Sequence, residues 1–242
     1  MITKRGKSSL YFWLILNFIV FQSASFAQQD RFESGLASKD RGHYATALRA
    51  WIPMAESGNA EAQNNVGYMY EEGLGVPQNY LLAMNWYRQA ADNELAQAQH
   101  NMGMLYHHGY GVAQNLGEAF RWFKMAAEQE LAESEYMLGL AYEKGEGTTL
   151  NYAEARRLFL SSARKNYTPA QMMYAFMLQA GEGGDSQPFS AYVWGKIAET
   201  NGSESAIDIT TISGIQLEDS DIVEAEEIIA QCLTASLSLC PE

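Results

Sequence analysis

The feature that most limits what this chain can fold into is an internal repeat with a period of 36 residues. Gly67, Gly103 and Gly139 share that spacing, as do Tyr70, Tyr106 and Tyr142. Gly73, Gly109, Gly145 and Gly181 hold it through four copies, accompanied by Gly75, Gly111, Gly147 and Gly183. Ala83, Ala119, Ala155 and Ala191 mark a further register. Trp86, Trp122, Leu158 and Trp194 form another, and Ala90, Ala126, Ser162 and Ala198 complete the frame. A period of this length belongs to stacked supersecondary units in which each repeat contacts its neighbours.

Each unit reads as two helices. Ala62, Val66, Met69 and Tyr70 form one apolar stripe at helical spacing. Residues 73–79 (GLGVPQN) are a turn with two glycines and a proline. Asn79, Asn115 and Asn151 are placed to cap the helix that follows, and Pro188 stands one place inside the last such helix, where its missing N–H costs nothing. The second helix then buries Ala83, Trp86, Tyr87 and Ala90. Gly67, Gly103 and Gly139 lie inside helices, at a cost of about 0.5–1 kcal/mol each relative to alanine. Their expected compensation is a Trp or Tyr from a neighbouring helix lying over the bare backbone. The last copy has Ala175 and Leu178 in place of Gly and Tyr, which predicts looser or different packing there.

These motifs resemble the Sel1-like repeat, a relative of the tetratricopeptide repeat. Ala62 to Glu94 and Ala98 to Glu130 match it closely, Ala132 to Asn166 less well, and Pro169 to Gly202 is degenerate. Gly42 to Gly58 resembles the second helix of a leading unit. The resemblance implies an all-α fold, a right-handed α/α superhelical solenoid of Sel1-like, TPR-like helix pairs. The units expected are a partial one over 30–58 and full ones over 60–94, 96–130, 132–166 and 168–202. Where the family usually ends the second helix on glycine, this chain has Gly58 and Gly202 but Glu94, Glu130 and Asn166 between them. Those turns are either strained or avoid the left-handed conformation.

Residues 203–242 leave the repeat. Asp219 and Asp221 favour a helix start, and Ile222, Ala225, Ile229 and Leu233 continue it as an apolar stripe. Residues 205–214 are rich in β-branched side chains (Ile207, Ile209, Thr210, Thr211, Ile212), so a strand is open there, while context favours helix. A C-terminal helical cap is the expected role, since a terminal repeat otherwise exposes an apolar face.

The N-terminus reads as a signal peptide over 1–27. Lys4, Arg5 and Lys7 precede a short apolar run from Leu10 to Phe21, and Ser25-Phe26-Ala27 supplies small residues for cleavage after Ala27. An uncleaved anchor is the competing reading. The run is short for a span, which needs about 20 apolar residues. No later segment is apolar enough to cross a membrane, so the mature chain is expected to be periplasmic or secreted, without membrane insertion. With 47% hydrophobic and 19% charged residues, the composition is that of a globular chain. A net charge of −13 disfavours nucleic acid and anionic lipid as partners. Cys232 and Cys240 are expected to pair in an oxidising compartment. Eight residues of helix would hold them ~12 Å apart, so pairing requires the helix to end soon after Cys232 and the tail to fold back.

In a curved stack the first helices line the inner surface. Their positions facing away from the core stripe are the candidate binding residues: Asn64, Tyr68, Glu71 and Glu72; then His100, Met104, His107 and His108; then Tyr136, Leu140 and Glu143; then Met172 and Phe176. Tyr68, Met104, Leu140 and Phe176 would form a partly apolar strip of the kind that marks interaction sites, unless they are buried between helices. The His100, Met104, His107, His108 set would suit copper by donor chemistry, but the repeat places no supporting carboxylate beside it and ordinary polar helix ends are the expected reading. No metal or other cofactor is expected. No nucleophile elbow, zinc-protease helix or Walker loop occurs, and the recurrent Gly-x-Gly belongs to the repeat.

The resemblance implies a non-catalytic adaptor of the cell envelope, expected to be a monomer, that holds a segment of an unidentified partner protein in a concave groove, as envelope members do when they hold a sensor domain or scaffold secretion. An enzyme acting on peptidoglycan-type or β-lactam substrates through Glu71 or Glu143 stays open, although the β-lactam branch carries a cysteine pair in each repeat that this chain lacks. An effector aimed at a host protein also stays open.

Overall fold

The structure, a computed structural model, describes residues 28–235 and 237–242. The expected signal peptide and its cleavage point after Ala27 lie outside the described residues. The described residues form helices and no strand, in two compact units that divide after Asn93.

The first unit contains α1 (residues 28–40), α2 (Tyr44–Glu56), α3 (Ala60–Glu72) and α4 (Tyr80–Asp92). Trp51, Met54, Val66 and Met69 are at the centre of its core. The Trp51 indole N–H donates to the Phe32 carbonyl at 3.2 Å, which ties α2 to α1. Asn59 starts α3 by accepting from the Ala62 N–H at 2.7 Å, and Gly73 ends it in the left-handed conformation at φ 68°. Asn79 then does two things. Its side chain accepts from the Leu82 N–H at 3.0 Å, and its own N–H donates to the Tyr70 carbonyl at 2.8 Å. One residue therefore caps α4 and pins the loop back onto α3.

The second unit contains α5 (Ala96–His108), α6 (Leu116–Ala127), α7 (Ala132–Lys144), α8 (Tyr152–Arg164), α9 (Thr168–Ala180), α10 (Pro188–Thr200), α11 (Ala206–Gly214) and α12 (Asp219–Thr234), then a 3₁₀ turn at Leu237–Leu239. Asn115 and Asn151 repeat the double role of Asn79, donating to the Tyr106 and Tyr142 carbonyls at 2.9 and 2.8 Å. Pro188 is the first residue of α10, as its position predicts.

The helix-interior glycines do receive an aromatic ring, from the second helix of the same repeat. A Cβ at Gly67, Gly103 or Gly139 would come within 2.8, 2.5 or 2.7 Å of Tyr87, Phe123 or Phe159. The ring is Tyr or Phe, one place past the tryptophan register, and Trp86 itself is only half-buried. In the last repeat the roles change hands. Ala175 replaces the glycine, Gly195 stands where the ring would be, and the Thr210 methyl of α11 lies 2.5 Å from where a Cβ on Gly195 would sit. Packing there is different but not looser, since Ala175 and Leu178 are fully buried.

Glu94, Glu130 and Asn166 adopt φ of 60°, 63° and 64°. Of the two expectations, the strained left-handed one holds. Asn166 is supported there by donors from Gln171 at 3.2 Å and Asn201 at 3.1 Å. Residues 206–214 are helix and not strand, because Ile209, Thr210 and Ser213 bury one face of that helix. α12 opens with a capping box between Glu218 and Asp221. Its buried stripe is Ala225, Ile229 and Cys232, with Ile222 half-buried, while Leu233 points outward and leaves the stripe one residue early.

The chain folds back as pairing requires. Cys232 and Cys240 form a disulfide with Cα atoms 5.6 Å apart. The residues beyond it dock on the last two repeats, where Trp194 of α10 donates to the Pro241 carbonyl at 2.8 Å and Arg164 of α8 pairs with Glu242 at 2.9 Å.

Candidate functional site

The candidate residues lie on the first helix of each repeat. In the first unit Tyr68 is 41% exposed on α3 and Glu72 is exposed, while Asn64 and Glu71 are half-buried. The Tyr87 hydroxyl donates to Glu71 at 2.5 Å. Burial, and then the Glu71 charge, push that phenol far above its ordinary range.

The corresponding positions of the second unit differ in chemistry and in burial. His100 is drawn between α5 and α7. Its Nδ1 lies 2.9 Å from the Ser134 hydroxyl and its ring sits 5.5 Å from that of Phe123. Burial holds His100 below the usual imidazole range, against a smaller opposing pull from Glu133. His107 is half-buried, with Nε2 3.8 Å from a Glu146 oxygen and its ring edge-on to His108 at 4.8 Å. Burial lowers its pKa as well, helped by His108 and Lys144 and opposed by Glu146. His108 is exposed and stacks on Tyr110 at 5.1 Å. With His100 engaged on Ser134, the histidines and Met104 do not converge, and among the described residues no group of three His, Cys, Asp or Glu is placed to hold a metal.

Tyr136, Leu140 and Met172 are half-buried and rest on the core of this unit. Tyr136 faces the rings of Phe159 and Tyr167 at 5.7 and 5.3 Å. Met104 is half-buried on α5, and Phe176 is 38% exposed on α9. Leu140 and His107 also line a cavity of about 80 Å³ between α5, α6 and α7, together with Phe120, Phe123 and Met137. Lys144 and Glu146 stand among its lining residues.

Glu143 is half-buried. Burial raises its carboxyl pKa, Lys144 opposes that, and Glu182 and Glu146 add to it. One oxygen each of Glu143 and Glu182 is shielded from solvent with no hydrogen-bond partner among the described residues. Glu146 and Glu182 are the members of this group that spacing on the helices missed. They occupy the middle of the Gly-x-Gly turn, where Leu74 and Tyr110 stand in the earlier copies. The turn register was legible as a 36-residue period, and a change from apolar to acidic along it was the available signal.

The Sel1 repeat model matches residues 60–95, 96–131, 132–167 and 168–203. The chain belongs to the Sel1 repeat family. Among solved structures, a Sel1 repeat protein from Oxalobacter formigenes is similar over 83% of this chain and 84% of its own, with 28% identity and a TM-score of 0.70. A protective antigen of uropathogenic Escherichia coli with the same repeat fold is similar at 26% identity and a TM-score of 0.70, over 90% of this chain and 52% of its own, so this chain spans about half of that one. No curated protein matches the sequence. Sel1 repeats are in general scaffolds for protein–protein interaction, and the helix pairs here form the same kind of solenoid.

Proposed function

We propose that this Sel1 repeat protein is a non-catalytic adaptor of the bacterial cell envelope, acting as a monomer, that holds a basic segment of a partner protein against its first helices. The observation that carries the reading is in the second unit. Met104, Leu140 and Phe176 recur at one repeat position, half-buried to exposed, beside Glu143, Glu146 and Glu182. Apolar side chains of the partner would rest on the first set. Its Lys or Arg donors would reach the shielded oxygens of Glu143 and Glu182, which have no internal partner among the described residues. The Cys232–Cys240 disulfide supports an oxidising compartment, and no described helix is long and apolar enough to cross a membrane. α11 and α12 would serve as the end cap of the stack.

The test is cross-linking and capture of the tagged protein in its native cells, beside Met104→Glu and Phe176→Glu variants that remain folded. Recovery of one discrete protein by the parent and not by the variants is the expected result. Equal recovery by all three would move the binding site elsewhere. The raised Glu143 carboxyl is the one feature that favours hydrolysis of a wall fragment or β-lactam instead. Turnover abolished by Glu143→Gln would replace the adaptor reading.

A further inference from the structure

α11 has one committed face and one open face. Ala206, Ile209, Thr210 and Ser213 are buried. Thr210 anchors that side, with its hydroxyl on Glu199 and its methyl over Gly195. The opposite side carries Ile207, Ile212 and Ile215, which are 52%, 47% and 81% exposed. Residues four apart on a helix share a stripe, so Ile207 and Ile215 align through Thr211, with Ile212 alongside. Single exposed isoleucines are ordinary on protein surfaces. Two of them, Ile212 and Ile215, are neighbours at the end of α11, and Ile207 stands at its start on the same open side, with the exposed Thr211 and Asp208 between, so that side offers apolar side chains and a carboxylate together.

The surrounding charge says what covers it. Residues 203–242 contain nine Asp and Glu and no Lys, Arg or His. Glu204 precedes α11, Asp208 lies on its open side, and Glu218 and Asp219 follow a few residues beyond Ile215; all four are exposed, and none of them is in an ion pair among the described residues. A second copy of this chain would set one acidic end against another, and an anionic lipid surface would be repelled in the same way. A helix with an apolar stripe bordered by lysine and arginine would satisfy both the isoleucines and the carboxylates.

We propose that α11 is a docking surface for a basic amphipathic helix of a partner protein, separate from the first-helix face and independent of the adaptor reading given above. The probe is a synthetic amphipathic helical peptide of leucine and lysine, followed by fluorescence anisotropy with the purified protein. Removing two of the isoleucines in Ile212→Ser/Ile215→Ser should weaken binding about tenfold or more, because the apolar contact they make with the peptide is lost. Leu81→Ser, at an exposed apolar residue on α4, should leave it unchanged, rising salt should weaken it, and a leucine–glutamate peptide should not bind. The proposal is overturned if the isoleucine variant binds the peptide as tightly as the parent does, or if the parent does not bind it. It is equally overturned if the parent dimerises in sedimentation and the isoleucine variant does not, since a second copy would then be the occupant.

Discussion

Gly103 and the ring of Phe123 compete for one volume, and only a missing side chain lets both stay. In Gly103→Ala the new methyl would lie 2.5 Å from that ring. Overpacking of this kind costs about 1–3 kcal/mol, against a helix-propensity gain of about 0.5–1 kcal/mol. The expected outcome is a net loss of roughly 1–2 kcal/mol, read from urea unfolding. The opposite sign is expected at Glu94 and Glu130. Both sit at positive φ, which disfavours a residue with a Cβ by about 1–2 kcal/mol. Glu94→Gly and Glu130→Gly should each stabilise by ~0.5–1 kcal/mol, discounted for the added freedom of glycine in the unfolded chain. Asn166→Gly should gain less, because it loses the acceptor that holds Gln171 and Asn201. His100 gives a pH signature. Its folded pKa lies below the ordinary value near 6.5, so between the two the unfolded chain binds the extra proton. Stability therefore falls as pH drops below about 6.5 and stays reduced below the folded value. His100→Gln should flatten that limb of a plot of unfolding temperature against pH, and an unchanged limb would mean that other groups produce it. At this scale the sequence was only half legible. The glycine register stood out, but residues 86 and 87 are both aromatic and their registers are both periodic. Which of the two meets the glycine depends on how the helices cross, and spacing along one chain does not contain that angle.

The loops and helix ends were far more legible, because their chemistry is local. An asparagine before α4, α6 and α8 declares a cap, and a Gly-x-Gly after α3, α5, α7 and α9 declares a left-handed stop. What spacing did not show is that the second glycine of the pair sets how closely repeats stack. A Cβ on Gly147 would lie 2.2 Å from the Leu116 carbonyl oxygen at the start of α6, and one on Gly183 2.5 Å from that of Tyr152. α11 shows the reverse case, in which a β-rich segment turns helical because its threonine and isoleucine bury against α9 and α10. The C-terminal tail gives the prediction that belongs to elements. Its disulfide closes a short loop, for which chain entropy allows ~2–3 kcal/mol of stabilisation. Cys240→Ser should free the tail, so that the Trp194 indole N–H loses the Pro241 carbonyl and Arg164 loses Glu242. Faster hydrogen exchange at that indole, together with early cleavage after α12 by added protease, is the expected result. Retained protection would show that the backbone contacts hold the tail without the bond.

For the molecule as a whole, the 36-residue period carried the architecture while the candidate binding face stayed ambiguous, for one physical reason. A repeat fixes which residues are equivalent, but burial at an equivalent position varies with the neighbour that stacks upon it. Tyr68 and Phe176 are open to solvent, whereas Leu140 and Tyr136 at the same face rest on the core and His100 is engaged with Ser134. Charge varies along the same registers, and in the second unit it leaves Glu143 with Glu182 and Glu146 as acidic neighbours and Lys144 as the one cation acting on it. Under the proposed adaptor reading, that arrangement would make partner binding depend on pH. The free protein holds the Glu143 carboxyl above its ordinary value, chiefly through burial. A lysine or arginine of the partner arriving there would lower it, so binding would release a proton wherever Glu143 is still partly protonated. Affinity for the captured partner should therefore fall as pH drops through the titration of Glu143. In calorimetry the heat of binding there should vary with the ionisation enthalpy of the buffer. Glu143→Gln should remove both effects while leaving the proposed Met104, Leu140 and Phe176 contacts in place. Binding that is independent of pH in the parent would put the basic side chains of the partner somewhere other than against this carboxylate.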